Sequence, residues 1–198
     1  MPLALVLDRG PHQLAVVHVH NDASMRHVEL ILRPWTEVDA PALTQAIAES
    51  VEHLRPWMPW AAAEPIDLER RRAWIRETAV GPDRVYGLWL DGRIVGGGGL
   101  HRRIRHAGLE IGYWVHAAFL RRGIATEAVR RLCAEAFDDE AVQRVEIHHD
   151  RANVASGRVA AAAGFELVGE RPDERKAPGE EGIECVWRLE RARYARAG

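Results

Sequence analysis

The sequence predicts an α/β (α+β) domain built on a mixed, mostly antiparallel sheet of about seven strands flanked by four helices. Three observations predict it. After Gly81-Pro82 the apolar period becomes two, and Asp91-Gly92 separates the runs Val85–Leu90 and Arg93–Leu100, a strong type I′ hairpin signal. Further on, strand-like and helix-like runs alternate through two β-α-β passages, which bring parallel pairing into an otherwise antiparallel sheet. The 198 residues are 47% hydrophobic and 28% charged, the composition of one folded domain rather than a disordered chain.

The elements follow in order. Residues 1–27 form an N-terminal extension. Leu3–Leu7 and Leu14–His20 flank the turn signal Asp8-Arg9-Gly10-Pro11, so the extension is either an added hairpin or a flexible arm. The main domain spans 28–198. Val28–Arg33 alternates and stops at Pro34, as a strand would. Asp39 is a good N-cap for a helix over Ala40–His53, with Leu43, Ile47, Val51 and Leu54 at helical spacing. The two prolines in Arg55-Pro56-Trp57-Met58-Pro59-Trp60 forbid a regular helix there. Asp67 caps a second helix, Leu68–Thr78, with Leu68, Trp74 and Ile75 inward and Arg70, Arg71, Arg72 and Arg76 wet. The hairpin comes next, then a strand over Ala107–His116, a helix over Ile124–Phe137 and a strand over Val142–His148. An alanine-rich helix, Val154–Ala163, leads to a strand at Phe165–Gly169. A charged loop, Pro172–Gly182, precedes the last strand, Ile183–Leu189. Gly96–Gly99 is a poor strand by propensity and implies close approach by another backbone or a ligand.

Charge and cysteine content narrow the function classes. Lys+Arg is 27 against Asp+Glu 29, a net charge of -2, which argues against a nucleic-acid coat. Lys176 is the only lysine, so nearly all positive charge is arginine. Codon bias accounts for most of it, although a guanidinium also suits phosphate. Cys133 and Cys185 form no C-x-x-C pair and read as small buried hydrophobes rather than a disulfide scaffold. No apolar run is long enough to span a bilayer, and the start lacks the basic region of a signal peptide, so no membrane partner and a cytoplasmic location are expected.

Two stretches carry chemistry. In the first, Leu109–Val115 leads through Arg121-Arg122-Gly123 into a helix whose first turn holds Ile124, Ala125 and Thr126. Small residues and unpaired amides at a helix start suit a phosphate or pyrophosphate. Neither a Walker G-K-[ST] nor a G-x-G-x-x-G motif is present. In the second, Val145–Asp150 leads to a helix opened by Asn153 and Ser156 and stopped at Gly164. Taken alone, Asn153 is an N-cap. His148 and His149 are strand neighbours pointing to opposite faces and make a poor metal trio with Asp150, so no metal is expected.

In order and spacing these segments resemble GNAT N-acetyltransferases, and more closely the RimJ/RimL-like branch. The resemblance rests on Leu32-Arg33-Pro34-Trp35, Leu54-Arg55-Pro56-Trp57-Met58-Pro59-Trp60, Glu110–Val115, Arg122–Ala128, Asn153-x-x-Ser156 and Gly164-Phe165, and covers about Val28–Leu189. It implies the GNAT fold with a splayed central strand pair, and acetyl-CoA as co-substrate. Acetyl would pass directly to a primary amine, either a protein N-terminus or a small molecule. It also implies that the strand end at Trp114 and Val115 binds pantetheine, and that backbone amides over Arg121, Arg122, Gly123, Ile124, Ala125 and Thr126 hold the pyrophosphate. Many GNAT enzymes place a tyrosine acid seven residues after the helix-start Asn, where this chain has Ala160. Ser156 takes that role in the RimJ/RimL pattern, with Asn153 positioning pantetheine or a water. Glu110 is the candidate base, directly or through water, and Trp57 and Trp60 the acceptor wall. Arg158 is placed to reach the adenosine phosphates. Two alternatives use the same fold: a transferase for succinyl-CoA or another acyl-CoA, for which Arg102, Arg103 and Arg105 would line the pocket, and a non-catalytic acyl-CoA-binding module. Sheet edges and the N-terminal arm offer ways to form a homodimer.

Overall fold

The computed structural model describes residues 18–19 and 28–197. The expected N-terminal extension lies outside these residues apart from β1 (His18–Val19), which pairs with the start of the next strand. Seven longer strands follow: β2 (Val28–Pro34), β3 (Arg84–Leu90), β4 (Arg93–His101), β5 (Gly108–Val115), β6 (Arg144–Asp150), β7 (Glu166–Pro172) and β8 (Ile183–Glu190). The helices are α1 (Ala40–Ala48), α2 (Val51–Leu54), α3 (Leu68–Val80), α4 (Ile124–Phe137), α5 (Val154–Ala162) and α6 (Arg191–Ala197). The sheet order is β1-β2-β3-β4-β5-β6-β8-β7, and β5–β6 is its parallel pair.

Two cores lie on opposite faces of this sheet. Alternation assigns neighbouring residues to different cores: on β4, Val95 joins the α4 core with Ile124, Val129 and Leu132, whereas Ile94 joins the α1/α3 core with Leu43, Ile47 and Ile75. β5 divides in the same way, with Leu109, Ile111 and Tyr113 toward α4 and Trp114 toward α1 and α3. The expected hairpin turn is present, with Asp91 (φ 48°) and Gly92 (φ 72°) both in the left-handed region that a type I′ turn requires. The close approach at Gly96–Gly99 comes from the protein itself. A Cβ on Gly96 would lie 2.2 Å from the Trp114 carbonyl oxygen, and one on Gly97 would lie 2.6 Å from the Trp114 indole nitrogen.

Several local expectations are corrected. The helix expected over Ala40–His53 is broken between α1 and α2. Buried Ser50 uses its Oγ to accept from the Ala117 amide at 3.1 Å, and Glu49 pairs with His116 at 3.0 Å. Asp39 does not cap α1 through its side chain. It is buried and receives both Arg33 Nη atoms at 2.8 Å, with further hydrogen bonds from Thr36. Arg71 is not on the wet face of α3; it is buried against buried Glu64 at 2.5 Å. Two helices were not expected as separate elements, α2 and α6. The latter is anchored by Arg191, whose Nε donates to the Val142 carbonyl at 2.7 Å, and by Tyr194 tilted against Phe137 with ring centroids 4.8 Å apart. Asp67 does cap α3, accepting from the Arg70 amide at 2.7 Å. Cys133 and Cys185 are both buried free thiols, and burial pushes Cys133 up to about 12.

Candidate active site

The parallel pairing of β5 and β6 is short. It joins Gly108 to Arg144, Leu109 to Val145 and Glu110 to Glu146, and then stops. Beyond that point Ile111–Val115 pairs only with β4, and Ile147–Asp150 only with β8, among the described strands. The two strands diverge, leaving a notch edged by backbone polar groups that no neighbouring strand satisfies. A cleft of about 1170 Å³ includes this notch. Glu110, Tyr113, Trp114, Asn153 and Ser156 line it, as do Trp57 and Trp60 from the proline-rich loop.

Ser156 is fixed by the start of α5. Asn153 caps that helix, its Oδ1 accepting from the Ser156 amide at 3.2 Å. The Ser156 hydroxyl reaches across the notch to the Tyr113 hydroxyl at 2.9 Å. Burial pushes the Tyr113 phenol up to about 12, so it is protonated at neutral pH. Glu110 is partly buried and accepts from Arg103 Nη1 at 3.2 Å. Arg102 and Arg105 are exposed and do not line the cleft, so the expected triple-arginine wall is reduced to Arg103.

Behind Glu110 lies a buried polar network that the sequence does not reveal. Glu146 accepts from Arg188 Nε at 2.8 Å and Arg144 Nε at 3.2 Å, and pairs with His148 Nε2 at 2.9 Å. Burial pushes Glu146 up, but the hydrogen bonds from His148 and Arg188 outweigh it and hold the carboxyl at about 2. His148 also meets Glu184 at 3.2 Å. Burial lowers its pKa, but the bond to Glu146 and the charges of Glu184 and Glu110 raise it further than burial lowers it. His149 is separately engaged: its Nε2 accepts from Trp187 Nε1 at 2.9 Å, which leaves Nδ1 to donate to the Asp150 carbonyl at 2.7 Å.

The α4 start lies past the end of β5, where buried Val115 leads into a short turn. Arg121 (φ 57°) and Gly123 (φ 76°) are both left-handed. Gly123 is the N-cap and offers no side-chain cap, so the amides of Ile124, Ala125 and Thr126 face forward without intrahelical partners. A Cβ on Gly123 would meet nothing within 4 Å, so the space over the turn is open. Arg122 is exposed and lies over the Phe119 ring, 5.1 Å from its centroid. Arg158 is exposed on α5 and does not line the cleft.

The opposite wall is built from two loops. Trp60 is 40% exposed and meets Trp114 edge to face, with centroids 6.4 Å apart. The loop after β7 docks against the first loop, the Gly179 amide donating to the Pro56 carbonyl at 2.9 Å, and brings Lys176 and Glu180 to the cleft. The sequence marks this segment only as charged.

The splayed parallel pair and the uncapped helix start are the features that the resemblance to GNAT enzymes implies. The family model described as the acetyltransferase (GNAT) domain matches residues 29–166, and the chain belongs to that family. YdaF of Bacillus subtilis (strain 168), a candidate ribosomal N-acetyltransferase, is 30% identical over 141 residues, covering 68% of this chain and 76% of that protein. Among solved structures, RimL, the ribosomal L7/L12 α-N-protein acetyltransferase in complex with coenzyme A, superposes with a TM-score of 0.76 at 20% identity, covering 90% of this chain and 97% of its own. Mycobacterium smegmatis RimJ with CoA-disulfide gives 0.70 at 23% identity, covering 86% and 90%. The microcin C7 self-immunity acetyltransferase MccE, with acetyl-CoA and AMP, gives 0.75 at 20% identity, covering 81% and 92%. These likenesses establish the shared fold, in keeping with the RimJ/RimL-like pattern of the sequence. No helix among the described residues is long and apolar enough to cross a membrane.

Proposed function

We propose that this acetyltransferase moves acetyl from acetyl-CoA to the α-amine of a protein N-terminus, with a ribosomal protein as the acceptor class, in the cytoplasm. The observation that carries the reading is the notch itself. It opens where β5 leaves β6 and has Ser156 at one side, and β5 runs on through a short turn to the uncapped α4 start. The names of YdaF and RimL support the acceptor class.

Acetyl-CoA supplies an activated thioester. Amides over Arg121–Thr126 hold its pyrophosphate, helped by the helix dipole. Unpaired backbone groups at Trp114 and Val115 hold pantetheine as an added strand would, and Asn153 orients it from the α5 start. Arg122 and Arg158 add positive charge near the phosphates. Glu110 takes the amine proton, directly or through a water. Ser156 Oγ holds the proton that the leaving thiolate requires. Trp57 and Trp60 form an apolar wall against the acceptor chain. Arg103 is already engaged by Glu110, which weakens the case for an acidic acyl group.

The test is thiol release from acetyl-CoA and succinyl-CoA against peptides with free N-termini, polyamines and amino sugars. The proposal predicts turnover with acetyl-CoA and the peptides, reduced by about 10²-fold in Ser156→Ala and at least 10-fold in Glu110→Gln. Turnover confined to small amines would overturn the acceptor class. Wild-type rates in both variants would overturn the residue roles.

A further inference from the structure

A serine is a poor acid for a leaving thiolate. If Ser156 gave up its proton alone it would become an alkoxide, a far stronger base than the thiolate it protonates. The proton must be replaced as it leaves, by a group that ionises more readily than an alcohol. The chain has no tyrosine at position 160, but it brings one in from the other side of the notch. Tyr113 Oη is 2.9 Å from Ser156 Oγ, and Ser156 is its only hydrogen-bond partner among the described residues. The two side chains come from different elements, β5 and α5, and meet across the gap where the strands have separated. Each is rigidly held. The Tyr113 ring packs on the α4 core, and Ser156 is held through its amide by Asn153. Either hydroxyl can donate in this contact; with the phenol as donor, the serine hydrogen is free to point into the notch.

We propose that Tyr113 is the proton source of the reaction and Ser156 the conduit. This rests on the reading that Ser156 serves the thiolate. As the carbon–sulfur bond of the thioester breaks, sulfur takes the Ser156 proton and Ser156 Oγ takes the Tyr113 proton. The resulting phenolate recovers a proton from water, and the proton shed by the amine leaves through Glu110. Tyr113 is a positioning residue by contact and a general acid by relay.

The experiment compares Tyr113→Phe, Ser156→Ala and the double variant, with far-UV circular dichroism to verify folding. Tyr113→Phe should lower kcat about 10-fold or more while acetyl-CoA KM stays within 2-fold. The double variant should be no slower than Ser156→Ala, because the relay is already cut. Replacing Tyr113 with a difluorotyrosine, which is isosteric but more acidic, should move the basic limb of the kcat–pH profile downward. A packing role would leave that limb in place, which keeps the proposal testable if Tyr113→Phe folds poorly. Near-normal kcat in Tyr113→Phe, additive losses, or an unmoved basic limb would overturn the relay. If Ser156→Ala itself is fully active, the reading of Ser156 fails and the relay fails with it.

Discussion

The two halves of the cleft are built by different means. On the side proposed for the coenzyme, the free edge of β5 and, beyond the cleft lining, the α4 start offer backbone groups, and the side chains at that helix start are small or absent, as at Gly123 and Ala125. On the side proposed for the acceptor, two loops at 55–66 and 173–182 present large and charged side chains, Trp57, Trp60, Lys176 and Glu180. Backbone recognition tolerates few sequences, because only certain residues adopt the geometry. Side-chain recognition tolerates many, because its shape changes with each substitution. Under the proposed function, backbone groups meet the coenzyme and large side chains meet the acceptor.

Four substitutions probe this contrast, in decreasing order of effect. The strongest falls on neither half but on the network beneath them. Glu146→Ala leaves Arg188, Arg144 and His148 without their buried partner and should lower stability by about 3–5 kcal/mol, read as a fall in Tm or denaturant midpoint. The pH dependence has a defined sign. The Glu146 pKa is depressed, so its stabilisation is present above its ordinary value near 4.5 and is lost as pH falls toward about 2. The His148 pKa is raised, so its stabilisation is complete below its ordinary value near 6.5 and is lost as pH rises through its folded value. Glu146→Ala should flatten the acid side of the stability profile.

Gly123→Val tests the backbone half. A branched side chain at φ 76° is disfavoured by about 1–2 kcal/mol, so the turn must distort, and calorimetry should show CoA binding about 10-fold weaker with the fold retained. Trp60→Ala tests the side-chain half. It should raise acceptor KM several-fold in steady-state kinetics and leave acetyl-CoA KM unchanged, since Trp60 packs on Trp114 from the loop side. Arg122→Ala has the weakest effect. Its exposed charge contributes roughly 0.5–1 kcal/mol, so CoA affinity should fall a few-fold at low salt and less at high salt. A loss that persists at high salt would mean that Arg122 acts through its packing on Phe119 rather than through its charge.

The same contrast explains what is legible in the sequence. The hairpin at Asp91-Gly92, the cap at Asp67 and the α5 start at Asn153 are local signals, and each appears where its chemistry requires. The departures occur where a side-chain partner outside the helix's own periodic pattern decides the outcome. Ser50 and Glu49 break the first helix because Ala117 and His116, 67 residues away in sequence, bind them. Arg71 is buried because Glu64 is folded beneath it by the proline-rich loop, and Asp39 turns from helix capping to Arg33. Tyr113 is visible in the sequence only as a strand residue, since its partner Ser156 lies 43 positions further on. The pairing of side chains across the notch requires the fold.

The most direct measurement of the central claim is intact-mass analysis of a free-N-terminus peptide incubated with acetyl-CoA and the protein, with CoA binding measured in parallel. Transfer of one acetyl group to the α-amine, reduced about 10²-fold in Ser156→Ala with CoA binding intact, is the predicted result. Normal CoA binding with no acetyl transfer to any amine would contradict a catalytic site at the notch and leave a coenzyme-binding module in its place.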